Sequence, residues 1–287
     1  MPTTDNRPAR TGGKTVRVAV VSDVHGNLPA LEAVLADIDA QGVDAVASAG
    51  DLVSGVDAEA VVARVNARAQ WSIAGNHERY YAPYPAAPAS EILRPGQQWA
   101  PQRWCYGRLS PATRTALAAL PEQAVIRADG TAPIRLFHGA PSGIADHLYP
   151  DRDPVALNHF HRAGILPDAY PPLREVIKDV QEPVVVCGHT HISWVQEEGE
   201  QLVVNTGSVG SPINGDVRAQ YAILTWESGR WHAEQRAVTY DIAPVRESYE
   251  ASGYLKAGGA FARALLRNIE TGLAWTVALL RDRKSVV

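Results

Sequence analysis

Val16-Arg17-Val18-Ala19-Val20-Val21-Ser22-Asp23-Val24-His25-Gly26-Asn27-Leu28-Pro29-Ala30-Leu31 is the stretch whose reading decides the fold. Val16 to Ser22 is a β-rich run of Val and Ala, as expected of a buried strand. It stops at a polar turn, Asp23-Val24-His25-Gly26-Asn27. From Leu28 to Ala40 the apolar residues Leu31, Val34, Leu35 and Ile38 recur at helical spacing. Asn27 suits the cap of that helix, and Pro29 suits its first turn, where a missing N–H costs nothing.

The same sequence of strand, polar turn and helix then repeats. Asp44 to Ala49 reads as a strand ending in Gly50-Asp51, and Asp57 to Arg68 as a helix. Trp71 to Ala74 reads as a short strand ending in Gly75-Asn76-His77-Glu78. This alternation predicts a largely parallel sheet, whose functional site lies off the carboxyl ends of its strands. Tyr80 to Tyr106, rich in proline and aromatics and without clean periodicity, reads as an irregular excursion. Ser110 to Leu120 reads as a helix capped by Ser110. Val125 to Arg127 and Ile134 to Phe137 read as strands, the second ending in His138-Gly139. Asp146 to Val180 reads as loop plus two helices, and Val184 to Cys187 as a buried strand ending in Gly188-His189-Thr190-His191. Four later β-like runs, at 193–196, 201–205, 220–226 and 231–238, predict a second, more antiparallel sheet. The chain from Ile242 onward reads as helical.

Bulk properties narrow the function classes. The 287 residues suffice for one large α/β domain, and no composition shift marks a boundary. A formal charge of -4 with no basic stripe argues against a nucleic-acid partner. Cys105 and Cys187 fit structural thiols in a reducing cytosol better than a disulfide scaffold. Met1 to Lys14 lacks an apolar core, so it reads as a disordered tail and not as a signal peptide. Gly272 to Leu280 is too short to span a bilayer and reads as an amphipathic or buried helix. The expected compartment is the cytoplasm, and a homo-oligomer stays open.

Five strand ends carry Asp23/His25, Asp51, Asn76/His77, His138 and His189/His191. Each alone is an ordinary turn signal, since Gly-Asp and Gly-Asn are common turn pairs. Gly-His-x-His says more, because alternate strand residues point the same way and would present two imidazoles together. Taken jointly the set mixes carboxylate, amide and imidazole donors without a thiolate. Such a set suits divalent manganese, iron, cobalt, nickel or zinc rather than a cysteine-based structural zinc site. It is also too large for one tetrahedral site with an open position.

The order D-x-H, G-D, G-N-H-E, H-G, G-H-T-H resembles the calcineurin-like metallophosphoesterase superfamily. Ser22 to Leu31 and Asn205-Thr206-Gly207-Ser208-Val209-Gly210 resemble its small bacterial and archaeal phosphodiesterase branch. The resemblance implies a four-layer α-β-β-α sandwich of two mixed sheets over residues 15–240, with a dinuclear metal site at the strand ends and a helical extension over 241–287 packed on the same domain. It implies that one divalent ion, manganese first among the candidates, takes Asp23, His25 and His191. The other would take Asn76, His138 and His189, with Asp51 bridging. It further implies that His77 stands outside the metal shell and protonates the leaving group. Two cations about 3.5–4 Å apart hold a hydroxide, neutralise phosphoryl oxygens and orient in-line attack.

The chain departs from the phosphoprotein phosphatase branch and its G-D-x-x-D-R-G. Here Ser54 stands where an aspartate would orient the histidine, and Gly55 where an arginine would grip phosphate. Glu78 and Thr206 replace the commoner Asp and Pro. The expected substrate is a small, nucleotide-like phosphate mono- or diester. A dinucleoside polyphosphate is the rival within the enzyme class, and a catalytically silent interaction scaffold is the rival outside it. Competent donors at all seven ligand positions and at His77 argue against the scaffold. Candidate substrate contacts are Tyr81, Trp99 and Trp104, for stacking on a base, and Ser208, in the glycine-rich turn. His147, His159 and His161 follow His138 and could reach the substrate, but they read first as solvent-exposed loop and helix residues.

Overall fold

The polar turns sit on the ends of two mixed five-stranded sheets. The computed structural model describes residues 15–82 and 96–281. The tail expected over Met1 to Lys14 and the part of the excursion at 83–95 lie outside the described residues, as do residues 282–287. The strands are Val16–Val21 (β1), Ala45–Ser48 (β2), Trp71–Ser72 (β3), Gln123–Ile126 (β4), Ile134–Phe137 (β5), Val184–Cys187 (β6), Trp194–Glu198 (β7), Gln201–Asn205 (β8), Ala219–Glu227 (β9) and Arg230–Val238 (β10). One sheet has the order β10-β9-β1-β2-β3 and the other β4-β5-β6-β8-β7. β1, β2 and β3 run parallel, as do β5, β6 and β8.

Strand alternation builds the layers. Val16, Val18 and Val20 of β1 join Ile134 and Leu136 of β5 and Val184 and Val186 of β6 in a core between the sheets. Ala19 and Val21 face the other way, into a core with Leu31, Val34, Leu35 and Ile38. On the outer face of the second sheet, Val185, Cys187 and Val203 pack against Phe160, Leu173 and Ile177. Three apolar cores separate four layers, helix, sheet, sheet and helix, as the resemblance implied. The first helix, Leu28–Gln41, starts where the sequence placed it. Asn27 Oδ1 accepts the Ala30 N–H at 3.1 Å, and the helix stops at left-handed Gly42.

Two expectations are corrected. The later strands do not form a sheet of their own: β7 and β8 extend the second sheet, while in the first β9 pairs antiparallel with β1 and β10 antiparallel with β9 at the edge. Alternation shows that a segment is a strand with two distinct faces; it does not show which sheet the segment completes. The excursion is also less irregular than its composition implied. Asn76–Tyr81 and Ala100–Tyr106 are helices, with a 3-10 turn at Gln97–Trp99. Pro101 lies in the first turn of its helix, where proline is tolerated.

The chain ends in helices Ala243–Ala251, Tyr254–Thr271 and Trp275–Arg281. Tyr249, Tyr254, Ala262, Leu266 and Ile269 are buried in the same core as Leu31. Gly259, at φ 58°, breaks the middle helix within its span. Among the described residues no helix is long and apolar enough to cross a membrane.

Candidate metal centre

The strand-end loops are laced to one another by backbone hydrogen bonds. Asp23 N–H donates to Gly50 O and His25 N–H to Asp51 O, both at 3.0 Å, while Gly188 N–H donates to His138 O at 2.9 Å. Such close approach explains the glycines of the motifs. A Cβ on Gly188 would stand 2.1 Å from Ser22 Oγ and 2.4 Å from Asp23 Oδ2, and one on Gly75 would stand 2.1 Å from Asp51 Oδ1. The lacing also holds Asp23, His25, Asp51, Ser54, His189 and His191 at positive φ. Left-handed non-glycine residues gather where a site dictates the backbone.

The side chains converge in overlapping groups. Asp23, His25 and His191 form one group and Asp51, His138 and His189 another, the potential ligand atoms of each lying within 4.8 Å of one another. Asp51 Oδ2 stands between them, 3.7 Å from His25 Nε2 and 3.4 Å from His138 Nε2. Asn76 joins the second group, its Oδ1 3.0 Å from His138 Nε2. The amide is turned that way because its Nδ2 donates to Tyr80 Oη at 2.9 Å.

Ring tautomers show what the centre is built to hold. His25 Nδ1 donates to Val53 O at 3.1 Å, His138 Nδ1 to Ala49 O at 2.7 Å, and His191 Nδ1 to Ser211 O. His189 is reversed, with Nε2 donating to Ala145 O at 3.1 Å. Each ring thus spends one N–H on a carbonyl and turns the other nitrogen inward, the usual outer support of a metal-ligating imidazole. Consequently acceptors face acceptors. His25 Nε2 and His191 Nε2 are 3.0 Å apart, with Asp23 Oδ1 3.3 Å from the latter. Asp23 Oδ1 is buried and has no hydrogen-bond donor. Only a cation, or an extra proton, reconciles these contacts, so the residues fit a divalent pair.

The electrostatics agree. Burial drives His25 and His189 down to about 3. At Asp23 burial works upward but His191 outweighs it, leaving the carboxyl at about 2. At Asp51 burial is outweighed in the same way by His138 and His77, and the carboxyl lies well below its ordinary value. At His138 the downward pull of burial is overcome by Asp51, and the ring rises to about 10. His191 is raised too, as Asp23 overcomes burial.

His77 is held differently. Its Nδ1 bonds a hydroxyl, Ser54 Oγ, and its Nε2 lies 3.8 Å from Asp51 Oδ2. Ser54 therefore fills the place of the missing aspartate, as a neutral partner. The Glu78 side chain is spent on backbone amides. Its carboxylate accepts from Gly75, Asp51 and Leu52 N–H at 2.7–2.8 Å, tying the second and third strand ends together. Burial and the Asp51 charge push Glu78 up to about 7.

A cavity of about 430 Å³ opens on this centre. His25, His77, His189 and His191 line it, along with Ser54, Tyr80 and Trp99. The Trp99 ring meets Tyr80 edge-on at 4.9 Å. Of the other stacking candidates, Tyr81 is 1% exposed and donates to Gln102 O at 3.1 Å. Trp104 is 9% exposed, packed against Tyr254 and covered by Arg108. Both belong to the helical core, because the helices that the sequence hid turn them inward. Ser208 is fully buried and donates to Asp23 O at 2.7 Å, anchoring a strand end away from the cavity. His147, read as an exposed loop residue, lines the cavity instead, its ring 5.0 Å from that of His189. That it follows His138 in the chain was the sequence hint. The C-terminal helices also contribute, through Phe261, Leu265 and Val277, and no sequence signal marked them for this.

Comparison with known proteins agrees with this geometry. Residues 16–229 match the family model of the calcineurin-like phosphoesterase superfamily domain. An uncharacterised protein of Methanocaldococcus jannaschii is 26% identical over 260 residues, covering 81% of this chain and 90% of that protein. The crystal structure of a metallophosphoesterase from Sphaerobacter thermophilus is similar, with a TM-score of 0.66 and 24% identity over 90% of this chain and 99% of its own. So is that of a hypothetical protein from Pyrococcus horikoshii, with a TM-score of 0.69 and 18% identity over 90% of this chain and 98% of its own. At these identities the two structures show a shared fold.

Proposed function

The chain belongs to the calcineurin-like phosphoesterase superfamily, and from that premise we propose that it is a cytoplasmic, divalent-metal-dependent hydrolase of small, nucleotide-like phosphate mono- or diesters. The observation that carries the metal dependence is the inward convergence of four carbonyl-anchored imidazoles on Asp23, Asp51 and Asn76. In this reading Asp23, His25 and His191 hold one ion, Asn76, His138 and His189 the other, and Asp51 lies between them. The thiolate-free donor set favours manganese, with iron, cobalt, nickel and zinc as substitutes. When bound, the ion pair supplies a nucleophilic water and neutralises phosphoryl oxygens.

The chain's own residues do the rest. Asp51 offsets charge at the midpoint, and its Oδ1 accepts the His77 backbone N–H at 2.9 Å, which positions that residue at the cavity. His77 hands a proton from Nε2 to the departing oxygen, with Ser54 fixing the ring through Nδ1. Burial lowers the pKa of His77, which makes it a stronger acid at a lower protonated fraction.

The test is to strip the protein with a chelator, verify metal loss by elemental analysis, and assay bis-nitrophenyl phosphate before and after adding manganese, cobalt or nickel. Activity that vanishes and returns is expected. Undiminished turnover by metal-free protein would overturn the proposal.

A further inference from the structure

The cavity is chemically lopsided. The histidine centre forms one part of its lining, while Ile213, Phe261, Leu265, Val277 and Leu280 give it a largely apolar wall, with the side chains of Asn268 and Thr276 among them. Among the described residues that line it, none is Arg, Lys, Asp or Glu. The wall is also braced. Asn268, 3% exposed, donates from Nδ2 to Thr276 Oγ1 at 2.9 Å, tying helix Tyr254–Thr271 to helix Trp275–Arg281. Gly215 N–H donates to Gly272 O at 2.8 Å, which fastens the turn between them to the loop that carries Ile213.

These features limit what can sit beyond the reacting phosphate. One phosphoryl group at the centre is neutralised by the ions that the centre fits. A second would project toward the wall, where no described cationic side chain meets it. Burying a charge without a partner is strongly unfavourable, whereas burying apolar surface there is favourable. We propose that the substrate carries a single phosphoryl group bearing an uncharged, largely apolar organic substituent, selected by the wall that Phe261, Leu265, Val277 and Leu280 present. This rests on the phosphoesterase reading above. It admits a nucleoside by way of its base and rejects a polyphosphate.

The test uses the full chain loaded with manganese and a series of nitrophenyl phosphodiesters sharing one leaving group. The second substituent is methyl, butyl, hexyl or 2-phosphoethyl, so that the chemistry stays constant while the occupant of the wall changes. kcat/KM is expected to rise from methyl to hexyl, by up to about fourfold per methylene while surface is being buried, and to fall below the methyl value for 2-phosphoethyl. Val277→Lys should lower the hexyl-to-methyl ratio and raise the 2-phosphoethyl-to-methyl ratio. Leu280→Lys should do the same at a residue 48% exposed, where folding is not at stake. Manganese content and melting temperature serve as controls. A flat series, or ratios that neither variant moves, overturns the substrate assignment and leaves the phosphoesterase reading standing. Absence of metal-dependent hydrolysis across the whole series, methyl ester included, overturns both.

Discussion

Replacing Ser54 by alanine removes one hydroxyl and leaves the proposed ligands intact. That hydroxyl bonds His77 Nδ1, and among the described residues its one other partner is Tyr81 Oη at 3.4 Å. The backbone at residue 54 is pinned independently, by Tyr254 Oη donating to its carbonyl at 3.1 Å. Alanine keeps the Cβ, so the left-handed backbone at φ 82° is strained no further. What is lost is one buried hydrogen bond, worth about 0.5–1.5 kcal/mol net. If the bond orients His77 for proton transfer, the loss appears as a rate reduction of roughly 2–13-fold. Deleting the ring itself in His77→Ala should cost roughly 10²–10⁴-fold. The assay compares an alkyl ester with a nitrophenyl ester in manganese-loaded protein. Nitrophenolate departs without a proton, so the alkyl ester should carry most of the loss in both variants. In a double-mutant cycle, Ser54→Ala should add almost nothing once His77 is alanine. Equal losses on both esters, or a full Ser54→Ala effect in the His77→Ala background, would refute the assignment of His77 as proton donor and Ser54 as its orienting partner.

Asp51→Asn should lower metal content and turnover more than substitution of any single outer ligand, because Asp51 Oδ2 lies within 3.7 Å of ring nitrogens from both groups; two retained ions with near-normal turnover would contradict this. Metal uptake near pH 7 should release protons, chiefly from His138, which is raised to about 10 in the metal-free protein, while His25 and His189 are lowered to about 3 and already neutral. Affinity should accordingly rise with pH across the neutral range, and calorimetry in buffers of different ionisation heat measures the release. Gly188→Ala should destabilise the fold by about 1–3 kcal/mol, since its Cβ would press into Ser22 Oγ and Asp23 Oδ2; an unchanged thermal midpoint would show that the loops give way more easily than the packing implies.

How far the sequence could be read depended on the kind of signal each segment carried. The run Val16–Ser22 and the spacing of Leu31, Val34, Leu35 and Ile38 report burial directly, so the first strand and helix were legible nearly to the residue. The strand-end residues were legible as a set because their donor chemistry is unusual, and the structure brings Asp23, His25, Asp51, Asn76, His77, His138, His189 and His191 together. Helix Ala100–Tyr106 was hidden because Pro101, Trp104, Cys105 and Tyr106 are poor or neutral helix formers whose helix is stabilised by tertiary packing against Tyr254. Tyr81, in helix Asn76–Tyr81, and Trp104 illustrate the cost of such misses: with their helices unrecognised, their inward direction could not be foreseen. His147 reaches the cavity through a loop, where spacing predicts nothing about direction.

The matched family stretch ends at residue 229, yet the apolar wall depends on residues 261 to 280. In the proposed reading, the residues that cut and most of those that choose, Ile213 apart, are therefore written in different places. The two are joined at Tyr254, which lies in the same helix as Phe261 and Leu265 and donates to the carbonyl of Ser54 at 3.1 Å. A chain altered only at the cavity-facing positions Phe261, Leu265, Val277 and Leu280 would change what it accepts, whereas one that lost Tyr254 would also loosen the turn that orients His77.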